Sequence, residues 1–146
     1  MPTAREIMTP NPTIVKTDAS VVDIAKQLRD EEIGAVIVCN AEGRLEGLIT
    51  DRDIAVEIVA GGRDASGTRA GDLLSGMETV TIGADDDVRE AVRTMKDHAV
   101  RRLPVIDGDK VIGMVSQADL ARCVDDETAG ELLRAISEAP DNSGQG

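Results

Sequence analysis

The chain writes one phrase twice, and that repeat limits what it can fold into. Residues 47–54 read GLITDRDI and residues 113–120 read GMVSQADL: a Gly, two aliphatic residues, a hydroxyl residue, two variable positions, an Asp and a further aliphatic. The likeness runs upstream. Val21, Ile24, Ala25 and Leu28 carry the i, i+3, i+4, i+7 stripe of an amphipathic helix, and Val88, Ala91, Val92 and Met95 carry it again 67 positions on. AVIVC at 35–39 and RLPVI at 102–106 keep that offset as apolar runs of buried-strand length. The offset then falls to 66 across NAEG at 40–43 and the shorter DGD at 107–109, a turn between strands where a lost residue is tolerated. A period this long exceeds that of a solenoid, and a lone unit of about 60 residues buries only a marginal fraction of its surface. The repeat therefore predicts an α/β (α+β) fold of two pseudo-two-fold-related units, each strand-helix-strand-strand-helix, paired through their sheets.

The predicted first strands are Thr13–Val15 and Val80–Ile82. Asp18 or Ser20 caps the next helix of the first half, with Asp23 at capping-box distance from Ser20. The matching helix of the second half opens on Asp85, Asp86 and Asp87, carboxylates that a helix N-terminus attracts without any metal. Strands at 44–49 and 110–115 run into helices that begin inside the repeated phrase, the first of which stops at Gly61 and Gly62. AREIM at 4–8 and AGDLLSG at 70–76 read as matched short helical turns, and ELLRAISEA at 131–139 as a further helix. The domain reading is a first motif over 7–60, a linker with a short turn over 61–72, a second motif over 73–124, a C-terminal helix over 125–139 and a disordered tail over 140–146.

Composition narrows the function. A net charge of −12 opposes binding to a nucleic-acid backbone or an anionic membrane, and no apolar run approaches the roughly 20 residues that span a bilayer. MPTAREIMTPNP has no hydrophobic signal core, so a cytoplasmic protein is expected. Cys39 and Cys123 lack metal spacing and read as two small buried thiols, with a disulfide or redox switch as the alternative. Without any Phe, Trp or Tyr the core must be built from Val, Ile, Leu, Met and Ala, and a bound base must lie between aliphatic side chains. His98 ends a predicted helix, where a cation suits the dipole. No nucleophile, base and orienting group come together in motif form, so the chain reads as a non-enzyme with no metal site.

In the repeated phrase the hydroxyl of Thr50 stands at the start of a helix, where backbone N–H groups lack partners and a phosphate is welcome. Asp53 follows one turn later, an acceptor that suits the adjacent donors of a ribose diol. Ser116 and Asp119 repeat the pair. The same residues also match a helix capping box, and duplication copies caps as readily as sites.

The chain from about Ile7 to Val124 resembles a tandem pair of CBS domains, a Bateman module. The resemblance is carried by the duplicated unit, IMTPNPTIV at 7–15, RRLPVID at 101–107 and the two G-h-x-[ST]-x-x-D phrases, and it is similar to small stand-alone bacterial CBS-pair proteins of the hypoxic-response type. It implies two clefts between the halves that take adenosine compounds such as AMP, ADP, ATP or S-adenosylmethionine, with no obligatory cofactor. The hydroxyl residue then touches phosphate and the Asp grips the ribose. One cleft would combine Ser116 and Asp119 with Thr13, Ile14, Val15 and the stretch from Ile33 through Ala35 to Val36. The other would combine Thr50 and Asp53 with Val80, Thr81, Ile82 and the stretch from Val100 through Leu103 to Pro104.

The halves differ in charge. Arg101 and Arg102 stand where the first half has Gly34 and Ala35, so the cleft of Ser116 and Asp119 is the expected phosphate site, although a solvated strand edge also accounts for two arginines. Arg52 lies between Asp51 and Asp53, as ready for an internal ion pair as for a ligand. The implied function is a sensor module that transmits nucleotide binding to a homodimer interface or to a regulated partner protein. An interaction scaffold with degenerate clefts is the alternative from another class.

Overall fold

The computed structural model describes residues 1–74 and 79–137. In chain order the first elements are α1 (Ala4–Ile7), β1 (Thr9–Pro10), β2 (Ile14–Lys16), α2 (Val21–Glu31), β3 (Ala35–Cys39), β4 (Leu45–Thr50) and α3 (Asp51–Asp53). A π-helical segment, Ile54–Ala60, continues α3. Then come α4 (Ala70–Leu73), β5 (Ile82–Gly83), α5 (Val88–His98), β6 (Arg102–Asp107), β7 (Lys110–Ser116), α6 (Gln117–Ala121) and α7 (Asp126–Ser137). The described residues form two compact units: a first-repeat unit within residues 13–74 with residue 79, and a second-repeat unit of residues 1–12 with 80–137.

In the first-repeat unit β2 runs parallel to β3, with Ile14 opposite Ile37, and β3 runs antiparallel to β4, with Ala35 opposite Thr50. Ser20 caps α2 by accepting the Asp23 N–H at 3.1 Å. The helix packs Ile24 and Leu28 onto Val15, Val36, Val38 and Ile49 of the sheet, an aliphatic core as the missing aromatics require. The second-repeat unit orders its strands β1-β7-β6-β5, with β5 parallel to β6 and the other pairs antiparallel. Asp87 caps α5 by accepting the Arg89 N–H at 2.7 Å, and the Arg89 side chain helps hold its carboxyl below the usual range. Val88, Ala91, Val92 and Met95 face Leu103, Val105 and Val115, and Leu132 and Ile136 of α7 close the same core. The helices α2 and α5 end alike: Glu32 and Ala99 adopt the left-handed conformation at φ 54 and 53, and Ile33 and Val100 then donate to Leu28 and Met95, each at 3.2 Å.

Several expected boundaries shift. The first strands begin later, at Ile14 and Ile82, because ladder pairing with β3 and β6 starts there; the Thr13 carbonyl, just ahead of the ladder, accepts the Ile37 N–H at 2.9 Å. Strands β4 and β7 run one residue further, to Thr50 and Ser116. The C-terminal helix starts at Asp126, where Asp125 accepts the Thr128 N–H at 2.7 Å. Residues 138–139 of that predicted helix, the end of the turn at 75–76 and the tail at 140–146 lie outside the described residues. Among the described residues no helix is long and apolar enough to cross a membrane.

Each short helical turn serves the repeat it does not precede. Helix α1 stands before the first repeat in sequence but belongs to the second-repeat unit: Ala4 and Arg5 donate to Asp86 and Ala84, each at 2.9 Å, and Val88 donates to Pro2 at 3.0 Å. Helix α4 stands before the second repeat but joins the first-repeat unit, where Ala70 and Gly71 donate to Ala19 at 2.8 Å and Thr17 at 2.9 Å. Ala4 and Ala70 are fully buried. These turns explain the glycine of the repeated phrase. A Cβ on Gly47 would lie 2.7 Å from Leu74 Cδ2, and one on Gly113 would meet Met8 Sδ and the Thr9 carbonyl oxygen.

Candidate functional site

In each unit the repeated phrase builds one end of the sheet. In the second-repeat unit Arg102 pairs with Ser116 across β6 and β7, and the Gln117 N–H donates to the Arg101 carbonyl at 3.0 Å. Because β5 is parallel to β6, with Ile82 opposite Val105, Val80 and Thr81 enter at that same end. The first-repeat unit repeats the construction: Ala35 pairs with Thr50, Asp51 donates to the Gly34 carbonyl at 3.0 Å, and Thr13 and Ile14 enter β2 beside β3.

Both hydroxyl-Asp pairs form complete capping boxes. Asp53 Oδ2 accepts the Thr50 N–H at 2.8 Å while Thr50 Oγ1 accepts the Asp53 N–H at 3.1 Å, and both residues are buried. Asp119 Oδ2 accepts the Ser116 N–H at 2.9 Å while Ser116 Oγ accepts the Asp119 N–H at 3.2 Å, on a half-buried pair. The capping reading of the sequence is thus geometrically real in both copies. It uses one oxygen of each carboxylate. Asp119 Oδ1 instead meets Arg122 Nη1 at 3.2 Å.

The remaining predicted residues divide by environment. Val15, Ile82 and Leu103 are buried members of the aliphatic cores, whereas Ile14 is exposed and Ile33, Ala35, Val80, Thr81, Arg101 and Arg102 are half-buried. The Thr13 hydroxyl donates to Glu31 Oε1 at 2.7 Å. Asp51 Oδ1 accepts the backbone N–H of Arg52 at 2.8 Å. Sequence reading missed Arg122, which the i, i+3 spacing from Asp119 would have flagged. Its counterpart in the first repeat is Val56, so at the positions of Arg101, Arg102 and Arg122 in the second repeat the first repeat carries Gly34, Ala35 and Val56. The helices that follow also differ: the first continues as π-helix over Ile54–Ala60, an uncommon form that recurs at functional sites, and the second as five α-helical residues.

The cysteines do not match their common expectation. Cys39 is buried, and burial pushes its thiol up from the ordinary value, but Cys123 is only half-buried because α6 has ended and the chain is turning toward α7. His98 ends α5 exposed, with Nδ1 3.0 Å from the Thr94 carbonyl oxygen.

A family model described as CBS domain matches residues 4–60 and again 70–126. Hypoxic response protein 1 of Mycobacterium tuberculosis is 34% identical over 136 residues, spanning 93% of this chain and 94% of its own. A crystal structure described as Hypoxic Response Protein I with two coordinated zinc ions superposes with a TM-score of 0.75 at 35% identity, over 85% of this chain and 100% of that one. Among the described residues of this chain no group of three or more His, Cys, Asp or Glu side chains gathers as a metal site. CBSX2, solved in complex with AMP, shares the fold with a TM-score of 0.69 at 24% identity, over 83% of this chain and 94% of that one.

Proposed function

The chain belongs to the CBS-domain family as a tandem pair, and from that premise we propose that it is a non-enzymatic regulatory module that senses an adenosine compound. The candidates are AMP, ADP, ATP and S-adenosylmethionine, and the response passes to a homodimer interface or a protein partner. The observation that carries this reading is the charge difference between the repeats: Arg102 pairs with Ser116 across β6 and β7, the Arg101 carbonyl accepts the Gln117 N–H and Arg122 meets Asp119, where the first repeat has Ala35, Gly34 and Val56. In a chain of net charge −12 such a local cluster is a specific provision for phosphate. The ribose falls to Asp119 Oδ1, the oxygen that the capping box leaves to side chains. The AMP complex of CBSX2 supports the ligand class.

A chain without aromatic residues is nearly transparent at about 280 nm, so a nucleobase carried through purification shows directly as an absorption band at about 260 nm. Titration calorimetry with AMP, ATP and S-adenosylmethionine tests the reading, and absence of binding by all of them would sink it. The completeness of both capping boxes favours the second reading, a ligand-free interaction scaffold, and that negative result would support it.

A further inference from the structure

Away from the repeated phrase, α5, Met1 and the turn leading into α7 line an open cavity of about 510 Å³ within the second-repeat unit, a size suited to a small organic ligand. One wall is cationic. Arg89, Arg93 and Lys96 stand at i, i+4 and i+7 along α5, so they share a face and all line the cavity. The apolar surface comes from Met1, Val92, Cys123 and Val124. Each cation has a carboxylate neighbour, Asp87 at 3.2 Å, Glu90 at 2.8 Å and Glu131 at 3.3 Å. These are water-exposed pairs, weak and screened by salt, and an anion whose own body excludes water competes well for the same guanidinium and ammonium groups. Asp97 and Asp125 also reach the lining, but Asp125 is committed to capping α7 through the Thr128 N–H at 2.7 Å.

We propose that this cavity binds an amphipathic organic anion, a carboxylate or comparable head group on a compact apolar body. The head lies on Arg93 and Lys96, and the body covers Val92, Cys123 and Val124. The cavity lining contains none of Arg101, Arg102, Ser116, Asp119 or Arg122, so the inference stands whether or not the chain binds nucleotides.

Cys123 provides the readout, since it lines the cavity and is half-buried whereas Cys39 is buried. The full chain is alkylated with neutral iodoacetamide at fixed ionic strength, and modification of Cys123 is followed by mass spectrometry while octanoate, or uncharged octanamide, is titrated in. Octanoate should slow the reaction saturably, and octanamide much less. The double variant Arg93→Glu with Lys96→Glu should raise the octanoate midpoint about tenfold or more, the scale of a lost charge-assisted contact. Arg93→Gln gives a milder second variant should the charge reversal disturb folding. No protection, equal protection by octanamide, or an unchanged midpoint in a folded charge variant each overturns the proposal.

Discussion

Replacing Asp119 separates a cap from a ligand contact. In Asp119→Ala the half-buried Ser116 N–H loses its acceptor at 2.9 Å, and Arg122 loses a partner at 3.2 Å. The first loss is a cap interaction of about 1 kcal/mol, and the second, with an exposed guanidinium, adds no more than about 0.5 kcal/mol. For a chain of 146 residues that sum lowers the melting temperature by about 3–6 °C. Asp119→Asn is different: its carbonyl oxygen still accepts the Ser116 N–H, so the melting temperature stays within about 2 °C of wild type. Its NH₂ group, however, is a donor turned toward a ribose that offers donors. Both variants should therefore bind AMP or ATP about ten- to hundredfold more weakly, a cost of about 1.4–2.8 kcal/mol. Far-ultraviolet circular dichroism follows the melting and calorimetry follows the affinity. If wild type binds nucleotide and Asp119→Asn binds it equally well, the ribose assignment is wrong. If Asp119→Asn melts as early as Asp119→Ala, the capping account of the phrase is wrong.

Other outcomes follow from single contacts. Arg101→Ala with Arg102→Ala should weaken ATP more than S-adenosylmethionine in calorimetry, because only the former carries phosphates for the guanidinium groups to fork. Gly113→Ala should cost about 1–3 kcal/mol by denaturant unfolding and Gly47→Ala less, since the new Cβ at 113 meets the Thr9 carbonyl at 3.0 Å whereas at 47 it meets the movable end of Leu74. Equal costs would refute that distinction. The carboxyls of Asp87 and Asp125 are held below the ordinary value, the first by the Arg89 side chain and N–H and the second by Thr128. Each contributes stability that is fully present above the unfolded Asp value of about 3.9 and is lost as pH falls through the depressed folded value. Stability measured from about pH 5 downward should thus fall less steeply in Asp87→Asn than in wild type.

The duplicated architecture is legible because periodicity is a local property. The stripes at Val21 to Leu28 and Val88 to Met95, the AVIVC strand and the hydroxyl-Asp caps all stand in the structure as their spacing requires. Strand starts were less legible, since Thr13 and Val80 have strand-like residues around them but pairing with β3 and β6 decides where the ladder begins. The exchange of α1 and α4 leaves no local trace at all: both repeats are preceded by a similar four-residue turn, and the sequence carries no mark of which core Ala4 or Ala70 fills. Gly47 and Gly113 read as strand residues for the same reason, because the side chains that crowd them come from those distant turns. The cavity beside Cys123 was hidden too. Arg89, Arg93 and Lys96 look like an ordinary solvated helix face until Met1 and the turn leading into α7 supply the opposite wall.

The exchanged turns make the chain a clasp. A protease cutting after Arg63, in the exposed segment between the repeats, would leave fragments 1–63 and 64–146. Neither fragment coincides with a folded unit: the first carries Ala4, which fills the second-repeat core, and the second carries Ala70, which fills the first-repeat core. A nicked molecule should stay together as a non-covalent complex, and separately produced halves should gain structure only on mixing. Ala4 and Ala70, each filling the core of the other repeat, then tie the two halves together independently of the backbone that joins them.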